Sequence, residues 1–145
     1  MLEIDINELK SKKFKAFIEY ALSNCDRCSF VIDRDNPFQK NLLELLKQNI
    51  LAEKVIFEHP ETGTHFDRGY MITLKCNADI KALFLKADCI SDFDGLAFPE
   101  ELCFFKNGNI WFKLISHERL LFVLNETDKD IDFFEANKIR YNYTI

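Results

Sequence analysis

Asn107-Gly108 stands between two apolar runs at residues 102–106 and 109–115. A two-residue type I′ turn needs positive φ at both central positions, and Asn-Gly meets that demand at little steric cost. The pair therefore predicts an antiparallel hairpin. A further turn over 116–119 leads into the apolar run 120–124, which extends the hairpin to a three-stranded meander. A sheet of this kind has one face to bury, so the rest of the chain has to cover it.

The covering elements show as 3.6-residue periodicity. Phe14, Phe17, Ile18, Ala21 and Leu22 mark an amphipathic helix over 7–23. Asn36 reads as an N-cap, with Pro37 at the first helical position and Gln39 as capping-box partner. The helix that follows runs to about residue 49 and is expected to bury Phe38, Leu42, Leu45 and Leu46. Asn77 caps a third helix built on Ile80, Leu83, Phe84 and Ala87, and Thr127 caps a fourth with Asp128 and Asp130 in its first turn. Strands are expected at 28–33, 55–58, 70–76 and 139–145, with a loop over 59–68. The irregular stretch 88–99 carries Ile90, Phe93, Leu96 and Phe98, which pin it to the core, so no domain boundary is placed there. These elements predict a single α+β domain: a mostly antiparallel sheet of about six strands with about four helices packed on it.

Composition narrows the function classes. Fifteen Phe against 4 Gly and 3 Pro in 145 residues describe a tightly filled globular interior. The formal net charge of −5 disfavours the positive face that tracks a phosphate backbone, so nucleic acid is not an expected partner. Lys10, Lys12, Lys13 and Lys15 read as one solvated helix face. No apolar stretch reaches the roughly 18 residues of a membrane span, and the N-terminus lacks the pattern of a signal peptide. The expectation is a cytoplasmic protein with no membrane partner and with reduced cysteines.

The motifs that carry chemistry are incomplete. Cys25-x-x-Cys28 places its first thiol at a helix C-terminus, where the dipole opposes thiolate formation, so redox use is disfavoured. Zinc would need two more ligands, and His59 and His65 share one loop at a loose spacing; neither a metal nor another cofactor is expected. His117-Glu118 begins like a zinc-protease helix, but Leu121 stands where the second histidine belongs. Asp92-x-Asp94-Gly95 lacks the later ligands of a calcium loop. No glycine-rich phosphate loop or nucleophile elbow is present.

One segment has a familiar pattern. Pro99-Glu100-Glu101-Leu102-Cys103-Phe104-Phe105-Lys106-Asn107-Gly108, with Trp111 and Ser116-His117-Glu118, resembles small uncharacterised bacterial proteins, some labelled stage III sporulation protein AH-like. The resemblance lies mainly over residues 99–123. It implies a small bacterial cytosolic protein and brings no established active site with it.

With no assembled catalytic set, the expected function is a non-enzymatic module that binds another protein or its own copy, immunity-like in class. The alternative is a small-ligand binder or enzyme using His117 and neighbouring carboxylates. The expected binding residues are Trp111, His117 and Glu118, at and beside the turn 116–119. Strand alternation puts Phe112 and Leu114 on one face and Trp111 on the other, which leaves Trp111 as a surface anchor if helices cover one face only. Against that stands the reading of Trp111 as core and of the His-Glu pair as a plain turn.

Overall fold

Four helices and eight strands make up the computed structural model, which describes residues 1–144. The strands are β1 (Leu2–Asp5), β2 (Arg27–Ile32), β3 (Ile50–Glu58), β4 (His65–Lys75), β5 (Glu100–Lys106), β6 (Asn109–Ile115), β7 (Leu120–Val123) and β8 (Asn142–Tyr143). The helices are α1 (Ser11–Asn24), α2 (Pro37–Leu46), α3 (Ala78–Phe84) and α4 (Asp128–Ala136). All strands join one antiparallel sheet in the order β3-β4-β2-β5-β6-β7-β1-β8.

The α+β class and the four helices match the expectation; the strand count does not. The sheet has eight strands rather than about six. The N-terminal strand β1 has only four residues, and what makes it a strand is its pairing with β7, where Leu2 faces Val123 and Ile4 faces Leu121. Local sequence carries no sign of a partner so far along the chain. The expected closing strand over 139–145 shrinks to β8, and Ile145 lies outside the described residues.

The capping residues act as their chemistry requires. Asn36 accepts from the Phe38 amide, Asn77 from those of Asp79 and Ile80, and Thr127 from that of Asp130. Asn107 and Gly108 both have positive φ, 49° and 82°, as the type I′ turn demands. Gln39 departs from the expected capping box. Fully buried, it accepts from the Asp33 amide at 2.7 Å and donates to the carbonyls of Gly95 and Leu96 at 2.6 and 3.1 Å, which ties the 88–99 loop to α2.

Every helix contributes to one buried cluster on one face of the sheet. Phe14, Phe17 and Ile18 of α1, Leu42 and Leu46 of α2, Phe84 of α3 and Phe134 of α4 meet Phe30, Phe104, Phe112 and Leu121 from the strands. The opposite face carries Ser29, Val31, Glu101, Cys103 and Lys113, and part of it lies under the β3–β4 connection, whose Glu61 carbonyl accepts from Lys113 Nζ at 3.1 Å.

Candidate functional site

Trp111 does not reach the surface. Between β5 and β6, Phe104 pairs with Phe112 but Phe105 pairs with Ile110, so Trp111 is the extra residue of a β-bulge. A bulge interrupts the strict alternation of a strand. Trp111 thereby joins Phe112 on the helix-covered face, 1% exposed, with its ring stacked on Phe17 at 5.8 Å. Its indole N–H donates to Asp130 Oδ2 at 3.0 Å. The expected grouping of Trp111 with His117 and Glu118 is thus broken: Trp111 is core, whereas the other two stand exposed on the short 3₁₀ turn Ser116–Glu118.

His117 and Glu118 instead share a cleft of about 510 Å³ with Thr62, Thr64, His65, Phe66 and Glu100. The cleft lies where the β3–β4 connection approaches the start of β5. Next to Glu100 of this lining stands Glu101, fully buried and held at φ +57°, a strained conformation for a residue with a Cβ. Glu101 accepts from the Ser116 amide at 2.9 Å and from Thr64 Oγ1 at 3.0 Å, while its own amide donates to Ser116 Oγ at 2.9 Å. One buried side chain therefore clamps the 3₁₀ turn and the β3–β4 connection together. The burial of Glu101 comes from tertiary contacts with Thr64 and Ser116, which no local sequence pattern announces.

The chain's third histidine, His59, sits beneath the same connection, 1% exposed. Its Nδ1 accepts from the amides of Glu61 and Thr62, which assigns the proton to Nε2, a buried atom with no partner. Burial holds its pKa below the ordinary histidine value, with Glu101 acting in the opposite direction. The two candidate zinc ligands of the sequence, His59 and His65, therefore serve different ends of this connection. Among the described residues no group of three or more His, Cys, Asp or Glu is arranged to hold a metal ion.

No family model, curated protein or solved structure matches the chain. The chemistry of the cleft has to be read from its own groups. Burial, with the neighbouring Glu101, pushes the Glu100 carboxyl up to about 7, and His117 opposes that rise. The folded protein thus keeps a proton on Glu100 that the unfolded chain has released above about 4.5. Stability then falls as pH rises from the unfolded value towards 7 and is level beyond it. Glu100→Gln is expected to leave stability nearly unchanged at pH 4 and to raise it by on the order of 1 kcal/mol at pH 8, a figure already reduced for solvent screening. Urea unfolding at the two pH values checks this; an equal effect at both would show that Glu100 titrates normally.

The cysteines offer little nucleophilic chemistry. Cys25 is the C-cap of α1, as its place in the sequence suggested, and burial pushes its thiol up to about 12. Cys28 is raised by its contact with Cys76 and by burial, and Cys103 by burial.

A second surface was not expected. Phe38 and Leu45, assigned to the core by periodicity, are 73% and 69% exposed. Leu42 and Leu46 are the α2 leucines buried in the core cluster, and Leu43 is partly buried against it. Leu51, Val55 and Phe57 of the edge strand β3 are also exposed, as is Leu96, whose carbonyl is bonded to Asn36 and Gln39 at the start of α2. Of the eight large apolar side chains exposed among the described residues, these are six, and the other two, Met1 and Tyr143, lie at the β1–β8 edge.

Proposed function

We propose that this chain is a non-enzymatic protein-binding module whose docking surface is the outer side of α2 and the edge strand β3. The observation that carries the reading is the concentration of exposed Phe38, Leu45, Leu51, Val55 and Phe57 on these two adjoining elements. Monomeric proteins seldom leave large apolar groups gathered in this way unless something covers them. Basic and acidic groups, Arg34, Lys40, Glu44, Lys47 and Glu53, line the groove between α2 and β3, giving the apolar surface a polar rim of both signs. An immunity-like role is the version of this reading in which the covering partner is a toxin.

A photo-crosslinking amino acid at Phe57 or Leu45 tests it in cells. The expected result is a discrete crosslinked adduct from both positions and none from Tyr143 at the opposite edge of the sheet. Equal labelling from all three positions would remove the reading.

A second reading rests on the cleft. Glu100 takes up and releases a proton near neutrality beside the imidazoles of His65 and His117, which suits a small ligand bearing a titratable or cationic group. Its open, mostly polar walls give little apolar area for holding such a ligand, and for that reason it ranks second.

A further inference from the structure

We propose that the partner of β3 is a second copy of this chain, paired β3 to β3 in antiparallel register about a two-fold axis at Ile56. The inference rests on the reading of the α2–β3 end as a docking surface and names what covers its strand edge.

β3 is nine residues long and pairs only with β4, so among the described residues its outer side presents a row of unpaired backbone donors and acceptors. Natural edge strands are usually short, bulged, interrupted by proline or studded with charge. β8 at the other edge follows that rule with two residues. β3 follows it only in part: Leu51 is an extra residue between the pairs Ile50–Leu74 and Ala52–Thr73, and Glu53, Lys54 and Glu58 carry charge. From Ala52 to Ile56, however, it keeps unbroken register with β4, the extra residues at the following irregularity belong to β4, and it contains no proline. On its inner side Ile56 packs close over Gly69, which holds the strand against the sheet.

Symmetry limits how two such edges can meet. A two-fold axis normal to the sheet keeps each side chain on its own face, so the axis passes beside one residue, which then faces itself. An axis at Glu53 or Lys54 sets like charges directly opposite each other, which is unfavourable. An axis at Val55 sets Glu53 against Phe57 and Lys54 against Ile56. With the axis at Ile56, Lys54 faces Glu58 twice and Val55 faces Phe57 twice. The charged pairs lie on one face and the four apolar side chains on the other, towards α2, where the single chain leaves Val55 42% and Phe57 63% exposed. Only this register satisfies charge and apolar groups together.

The test is sedimentation velocity on the purified full chain over a range of concentrations. The wild type is expected to show a monomer–dimer equilibrium. Val55→Lys, at an exposed position that the single chain tolerates, should raise the dissociation constant by about tenfold or more. Lys54→Glu and Glu58→Lys each place two like-charged pairs across the axis and should each weaken the dimer by about tenfold. The double variant K54E/E58K restores opposite charges at both places and should return close to the wild-type constant. Circular dichroism on each variant establishes that it is folded. A chain that stays monomeric at every concentration overturns the proposal, as does a dimer indifferent to Val55→Lys or one that the double variant fails to restore. A monomer that still crosslinks a different protein through Phe57 refutes self-pairing while leaving the docking surface intact.

Discussion

Asp130→Ala is expected to lower the free energy of unfolding by about 3–5 kcal/mol, the range for breaking a buried charged network from one side. Asp130 is fully buried at the first turn of α4, and four groups converge on it. Oδ1 accepts from the Tyr20 hydroxyl at 2.5 Å and from Lys106 Nζ at 3.3 Å; Oδ2 accepts from the Trp111 indole at 3.0 Å and from the Thr127 amide at 2.9 Å. One carboxylate therefore joins α1, the β5–β6 hairpin and α4. Its removal leaves the indole N–H buried without an acceptor and takes away half of the Thr127 capping box. Burial alone would raise its pKa, but the hydrogen bonds from Tyr20, Thr127 and Trp111, with the charge of Lys106, hold it below the ordinary value of 3.8. Because the folded value is depressed, this stabilisation is fully present above the unfolded value and is lost as pH falls through the folded one. Denaturant unfolding followed by the fluorescence of the single tryptophan measures the loss at neutral pH. The same series at acid pH should show the variant losing less stability than the wild type. A cost below 1 kcal/mol would mean that water or a neighbouring side chain replaces the carboxylate.

Local chemistry in the sequence located most elements of this fold. Asn36, Asn77 and Thr127 start helices because their side-chain oxygens satisfy amides that a helix leaves free, and Asn107-Gly108 turns the chain because both residues accept positive φ. What stayed hidden depends on partners distant in sequence. β1 is a strand because β7 is there to receive it. Trp111 faces the helices because β6 bulges against β5, and one extra residue reverses the alternation that had assigned it to the other face. Asp130 read as a helix-start carboxylate, which it is, but nothing local tells that Tyr20 and Trp111 also converge on it. The cleft collects His65, Glu100 and His117 from three separate places in the chain, the starts of β4 and β5 and the turn after β6. Periodicity likewise assigned Phe38 and Leu45 to the buried side of α2 with Leu42 and Leu46, but the side that packs on the sheet is turned towards Gln39, Leu42 and Leu46 and leaves Phe38 and Leu45 exposed.

Two phenylalanines separate those cases. Phe17→Ala is expected to cost about 3–5 kcal/mol, and Phe38→Ala no more than about 0.5 kcal/mol. Both were assigned to the core by the same helical spacing. Phe17 is fully buried where α1 crosses the sheet, its ring 5.0 Å from Phe112, 5.8 Å from Trp111 and 6.5 Å from Phe104. Those rings are fixed by strand pairing and, for Trp111, by its bond to Asp130, so they have little freedom to close a cavity left by truncation. Poor relaxation places the cost in the upper part of the large-to-small range. Phe38, 73% exposed, packs against little and leaves no void behind. Urea unfolding of the two variants side by side measures the difference. A Phe38→Ala cost approaching that of Phe17→Ala would mean that the outer side of α2 is covered within the chain itself, and the docking surface would lose the exposure on which it rests.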